Sequence, residues 1–328
     1  MSPIAGRMAW SGNSSGYIFT TISLGANLAG QTISLRFRFA SDNAGSAPGW
    51  RIDTLVITDA VCPTPTPSPT LTPSTTQLAN ISTRLRVETG DNIGIGGFII
   101  NGTGELQIAI RGLGPSLGQV GIPDYLPDPT LELRDSSGAL LAHNDNWQDD
   151  PAQVPQLIQI GLAPASPSES ALIQTLQPGA YTAVLAGTNG GIGVGLVEVY
   201  NVDRSVPVTS NQLANISTRG FVQTGNNVMI GGFILGTGTN TNIVIRGLGP
   251  SLSDFGIPNP LADPTLELRD SNGTLLASND NCAGSSLPPP NPLEACIEIS
   301  LSPAAYTAIL TGKNGGTGVG LVEIYNLQ

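Results

Sequence analysis

The side chains best placed for chemistry in this sequence are hard oxygen donors. Asn144-Asp145-Asn146, followed by Asp149 and Asp150, offers amide and carboxylate oxygens at close spacing. Calcium takes about 6–8 such ligands, so the candidate metal site is Asn144, Asp145, Asn146 and Asp149. A second run, Asn279-Asp280-Asn281, has no equivalents of Asp149 and Asp150. The plainer alternative is that Asp and Asn cap their own backbone in turns. No other cofactor is expected.

Cys282 and Cys296, with thirteen residues between them, are the next chemical pair. They lie in a shortened connection and read as a disulfide replacing lost packing, worth about 3 kcal/mol in the chain-entropy model. Two free buried thiols are the alternative. Such a bond persists outside the cytosol, which favours an extracellular or cell-surface location. Cys62 is left over, available to pair between chains or with sequence beyond these residues. His143 is the sole histidine and has Ser278 in the corresponding place, so it reads as a surface residue rather than a general base. No serine has a repeated His or Lys partner, and an enzyme is not expected. Arg111–Ser116 and Arg246–Ser251 both spell RGLGPS, which lacks the Lys-Ser/Thr of a phosphate loop and is interrupted by proline, so a structural turn is expected. Arg111 and Arg246 are expected to form structural ion pairs with Glu132 and Glu267, or with Asp128 and Asp263.

The elements that position these residues come in duplicate. From Gln77 and from Gln212 the chain repeats QLANISTR…RGLGPSL…DPTLELRDS without a gap at an offset of 135 (212 − 77). By Tyr181 and Tyr306 the offset is 125 (306 − 181), so the second copy has lost ten residues from one connection. The organisation read from this is a segment at 1–61, a Pro/Thr-rich linker at 62–76, repeat 1 at 77–203, a short linker at 204–211 and repeat 2 at 212–328. The spacer PTPTPSPTLTPSTT favours polyproline II, about 40 Å long at about 3.1 Å per residue. Thr64, Thr66, Ser68, Thr70 and Thr72 are its O-glycosylation candidates, with a bare linker as the alternative.

Only 11% of the 328 residues are charged, 5% are aromatic, and 41 glycines and 26 prolines divide many short apolar runs. That composition predicts an all-β chain. Eight strands are expected per repeat, in the first copy near Leu78–Thr83, Asn92–Ile100, Leu106–Gly112, Thr130–Asp135, Ala139–Asn144, Ser170–Leu176, Ala180–Gly187 and Gly195–Asn201, with a helix near Val154–Ile160. LELRDSSGALL reads as a hairpin, and AYTAVLAG with GLVEVYN as a second. Each repeat is expected to close on itself as a β-sandwich of jelly-roll or immunoglobulin-like type, and the two are expected to touch. The net charge of −11 and the sole lysine, Lys313, argue against nucleic acid and anionic membranes as partners. No apolar run is long enough for a membrane span. The start, SPIAGRMAWSGNSSGY, lacks the apolar stretch of a signal peptide and reads as the remainder of a longer secreted protein, a cytosolic chain being the alternative.

The second half of each repeat resembles the bacterial pre-peptidase C-terminal domain. The matching residues are Leu133, Asp135, Gly138, Asn144, Asp145, Pro178, Gly179 and Tyr181, and in the second copy Leu268, Asp270, Gly273, Asn279, Asp280, Pro303 and Tyr306, with Ala304 departing from the glycine. The resemblance implies a secreted accessory β-sandwich of the kind carried by extracellular hydrolases. The first half, LANISTR…IGGFI…RGLGPSL, looks like a repeat found at the ends of large secreted bacterial proteins. Residues 1–61 are similar to the last strands of MAM-like or immune-inhibitor-A-like jelly rolls, through Gly49, Trp50, Ile52 and Asp53. Thr54 replaces the second acid of that pattern, which weakens any metal role there.

Residues 1–61 supply too few strands for a closed sandwich, and Leu35, Phe37 and Phe39 give them an apolar face alternating with Arg36 and Arg38. The expected function is therefore an extracellular structural glycoprotein, a subunit of a bacterial surface fibril or adhesive layer. It would form a head-to-tail homopolymer by strand complementation between subunits, with glycans as further partners. The alternative is a non-catalytic substrate-binding or targeting tail of a secreted bacterial hydrolase.

Overall fold

The computed structural model describes residues 78–202, 211–236 and 239–327. The expectations for residues 1–61, for the spacer and its hydroxyls and for Cys62 lie outside the described residues. Within them the chain is all-β, as its composition predicts. Repeat 1 contributes β1 (Leu78–Val87), β2 (Gly94–Gly102), β3 (Leu106–Leu113), β4 (Pro129–Asp135), β5 (Leu140–Asn144), β6 (Ser170–Leu176), β7 (Gly179–Gly187) and β8 (Gly193–Asn201). Repeat 2 contributes β9 (Asn211–Val222), β10 (Met229–Leu235), β11 (Thr241–Leu248), β12 (Pro264–Asp270), β13 (Leu275–Asn279), β14 (Ala295–Leu301), β15 (Ala305–Gly312) and β16 (Gly318–Asn326). The eight strands expected in repeat 1 are all present. Two short helices, α1 (Pro115–Gly118) and α2 (Val154–Gln159), interrupt them, the second where a helix was expected.

Pairing runs through both repeats. One antiparallel array is β6-β3-β8-β1-β10-β15-β12-β13, and the other is β14-β11-β16-β9-β2-β7-β4-β5. Each array takes four strands from each repeat, and parallel bridges between β1 and β9 connect the two. The junctions are reciprocal. Ile81 faces Phe233 in β1–β10, and Ile216 faces Phe98 in β9–β2, each residue displaced by 135 from its counterpart (216 − 81; 233 − 98). The expectation that each repeat closes on itself is thus corrected: the first strand of each repeat pairs with the second strand of the other. Alternation explains how both arrays bury one face. Leu131 and Leu133 of β4, Ile108 and Ile110 of β3, and Phe98 and Ile100 of β2 all join a single apolar cluster that also holds Leu213, Ile216, Phe233 and Leu310 of repeat 2. Both repeats fall in one compact unit.

The hairpin expected from LELRDSSGALL is present as β4–β5. Asp135 caps its turn, accepting from the backbone N–H of Ser137 (2.8 Å) and Ala139 (3.0 Å), and Gly138 supplies the left-handed conformation at φ 85°. These bonds favour the charged carboxylate and hold Asp135 below its ordinary range, the Ser137 hydroxyl contributing most. The second expected hairpin is not formed. Both edges of β7 are occupied, by β2 and β4, while β8 pairs with β1 and β3. The intervening TNGGIG is therefore a crossing between arrays. It turns tightly through Asn189 at φ 53°, and a side chain at Gly187 would overlap the Gly191 carbonyl.

Candidate functional site

The Asp/Asn cluster sits where β5 hands over to the segment before β6. Asn144 is spent on local structure: its Nδ2 donates to the Asn146 carbonyl (2.9 Å) and its Oδ1 accepts from the Ala171 backbone N–H (2.9 Å), tying β5 to β6. Asp145 accepts from the Thr188 hydroxyl (3.1 Å), Asn146 reaches Asp149 at 3.4 Å, and Asp150 accepts from the Ala152 N–H ahead of α2. The four sequence-identified residues lie near one another, each in a hydrogen bond of this kind. Among the described residues no three His, Cys, Asp or Glu side chains converge as a metal group. In repeat 2 the pattern recurs: Asn279 bonds the Asn281 carbonyl and the Cys296 N–H, and Asp280 pairs with Lys313 at 2.6 Å. An open depression of about 590 Å³ lies over this region, lined by Thr265, Glu267, Ser278, Asn279 and Asp280. Its two acids are ion-paired, Glu267 with Arg269 and Asp280 with Lys313. His143 is exposed on β5, opposite Glu132.

Cys282 and Cys296 are joined, with Cα atoms 4.9 Å apart.

The RGLGPS motif is a structural turn, and its occupant is a residue that sequence reasoning missed. The fully buried carboxylate of Glu169 accepts from the backbone N–H groups of Gly114 and Ser116, both at 2.9 Å, and from the Ser116 hydroxyl at 2.5 Å. Its other oxygen accepts from the Ser166 N–H at 3.2 Å. Glu294 does the same for Gly249 and Ser251. The loop does present N–H groups to an anion, but the anion is the protein's own. A signal existed in the sequence: Glu169 and Glu294 keep their place (294 − 169 = 125) beside a connection that was otherwise rebuilt, in a chain with few charges.

Arg111 and Arg246 take different partners from those expected. Glu132 and Glu267 are occupied by Arg134 and Arg269 along their own strands. Arg111 instead donates to Glu198 (2.8 Å from Nε), which also accepts from the Tyr200 hydroxyl (2.9 Å), with the guanidinium 5.4 Å from the Tyr200 ring centre. Arg246, Glu323 and Tyr325 repeat this network. Burial alone would lower the Arg111 pKa, but Glu198 and then Tyr200 outweigh it and leave it raised. Burial, followed by the charge of Glu198, pushes Tyr200 up to about 12. Within each network these polar groups satisfy one another.

What remains presented outward is strand edge. β5, β6, β13 and β14 each pair on one side alone among the described residues. β5 carries Leu140 and Leu141 at 53% and 45% exposure, and β13 carries their counterparts Leu275 and Leu276 at 47% and 41%. Adjacent exposed leucines on an unpaired edge are a favourable place for another strand to add.

No protein-family model matches this chain, and no curated protein matches it. Among solved structures, a crystal structure of a DUF4785 family protein from Legionella pneumophila aligns over 76% of this chain and 84% of that chain, at 9% identity and a TM-score of 0.19. A similarity of that size carries no argument about this chain.

Proposed function

We propose that this protein is a non-catalytic structural subunit of an extracellular assembly, joined to its neighbours by β-strand addition. One observation carries the proposal: the two repeats share one core and end in leucine-bearing edges, β5 and β13, that recur in both copies. Such a body offers two equivalent acceptor edges, and in this reading the segment 1–61, whose sequence alternates apolar and polar residues, is the donor. The disulfide supports a location outside the cytosol. The resemblance to secreted pre-peptidase C-terminal domains agrees with structural duties for its motif residues: Asp135 caps a turn, Asn144 ties two strands, and Tyr181 stacks on Phe98 with ring centres 5.6 Å apart.

The test is negative-stain microscopy and sedimentation of the full chain beside a chain lacking residues 1–61. Linear polymers from the full chain and folded monomers from the truncated one are expected. A full chain that stays monomeric at high concentration, or a truncated chain that still forms fibrils, would remove the proposal and leave the hydrolase-tail alternative.

A further inference from the structure

The junction between the repeats is nearly symmetric, and the place where symmetry breaks is informative. β1 and β9 run side by side in parallel with equivalent positions facing, Leu78 with Leu213 and Arg86 with Phe221. Between them the buried hydroxyls of Thr83 and Thr218 lie 2.7 Å apart, also equivalent positions (218 − 83 = 135). The two strands are identical through Arg84 and Arg219 (LANISTR in each). Ile81, Thr83, Leu85 and Val87 are the buried, alternate positions of β1. The first of these to differ is Leu85, whose counterpart is Gly220.

The difference is complementary. A Cβ at Gly220 would lie inside contact distance of Leu85 Cδ1, so the buried leucine occupies the space the glycine leaves. The neighbouring positions differ in the matching sense. Gly94 of β2, whose added Cβ would meet Leu85 Cδ1 at 3.3 Å, corresponds to Met229 of β10 (229 − 94 = 135), whose Cε lies 3.4 Å from a Cβ built at Gly220. Repeat 1 thus brings Leu85 with Gly94, and repeat 2 brings Gly220 with Met229. Pairing two copies of repeat 1 would drive one leucine into another across β1–β9 while leaving the place of Met229 empty, and packed interiors tolerate such misplaced volume poorly. Pairing two copies of repeat 2 would leave the leucine's place to two flexible methionines.

We infer that this junction is a recognition surface for a repeat of the opposite type. Leu85 and Gly220 are its specificity determinants, so a second copy of this chain can dock only repeat 1 onto repeat 2. Within one chain the short link holds the two repeats at an effective concentration in the millimolar range, which favours the closed monomer in dilute solution. Between chains the same surfaces dictate a head-to-tail order, closing as a reciprocal pair or propagating. The inference concerns the junction alone and stands apart from the assembly through residues 1–61.

A protease site placed between residues 203 and 210 of the full chain allows the link to be cut after folding. The cut protein is expected to remain a one-to-one complex by native mass spectrometry. Mixed with isotope-labelled cut protein in mild denaturant and diluted, it should give labelled–unlabelled pairs of repeat 1 with repeat 2 and no pairs of repeat 1 with itself. Cut pieces that part as folded monomers, pairs of repeat 1 with itself in comparable amount, or no pairs of any kind on dilution would overturn the inference. In the uncut chain, Gly220→Leu should lower the melting temperature by several degrees, as overpacking does in a protein of this size. The mirrored variant L85G/G94M/G220L/M229G should recover most of that loss. If Gly220→Leu does not fold, recovery of folding in the mirrored variant supports the inference, and a mirrored variant no more stable than Gly220→Leu overturns it.

Discussion

After β5 the chain of repeat 1 passes through Trp147 and α2 on its way to β6, whereas after β13 repeat 2 takes a path ten residues shorter, through Cys282, which is bonded to Cys296 of β14. Trp147 and Cys282 are equivalent (282 − 147 = 135), as are Ala171 and Cys296 (296 − 171 = 125). The backbone solves the problem identically in both: the N–H of Trp147 donates to the Glu169 carbonyl, and that of Cys282 to the Glu294 carbonyl, each at 2.8 Å. The side chains differ. Trp147 packs with Leu157 of α2, Ala109, Ala171 and Ile173, and its indole N–H reaches the Ser166 carbonyl at 3.1 Å. Without α2 there is no Leu157 to complete such a cluster, and a covalent bond holds the connection to the strand instead. Apolar burial and a cross-link are interchangeable here because the buried glutamate and the asparagine tie fix the backbone in either case.

The comparison is open to direct attack. The largest effect is expected from Trp147→Ala, which empties the centre of the satellite cluster and should cost about 3–5 kcal/mol. Denaturant unfolding measures that loss, and hydrogen exchange should show β6 deprotected first. Next comes reduction of Cys282–Cys296, or its replacement by two alanines, at about 3 kcal/mol for a loop of this size. Because the main apolar cluster spans both repeats, either change should lower one shared calorimetric transition. Two resolved transitions would show that the repeats unfold separately.

The smallest effect concerns pH. Tyr200 packs beneath the α2 segment and is pushed up to about 12 from an ordinary 10.0. Its raised value means that its contribution is complete below about pH 10 and is lost as pH climbs through 12. Tyr325 is raised by the same causes, burial and then Glu323. Stability should therefore fall between pH 10 and 12, and Tyr200→Phe should flatten that fall more than Tyr325→Phe does. Equal effects from the two would mean that the α2 cover adds nothing to the burial of Tyr200.

Strands, turns and the disulfide were legible because each rests on local chemistry. Alternation in LELRD, glycine at the DSSG turn and two cysteines in one rebuilt loop are read without knowing the fold. The partner of Arg111 was not legible. Glu132 and Asp128 are closer in sequence, yet it is strand register that brings Glu198 opposite Arg111 across β3–β8. The TNGGIG crossing is not legible for a related reason: two strands joined by a glycine-rich turn look like a hairpin until both edges of the first are known to be taken.

The sequence by itself determined the element list, the duplication, the all-β class and the side-chain alternation that decides which face of each strand is buried. Those follow from residue type and spacing along the chain. Only the tertiary structure decided which strands meet. β1 and β9 carry the same LANISTR, so local preference cannot say whether β1 pairs with β2 of its own repeat or with β10 of the other. The tertiary arrangement decides it: β1 meets β10 and β9 meets β2, and across the β1–β9 contact Leu85 is seated over Gly220 at the one buried place where the two strands differ.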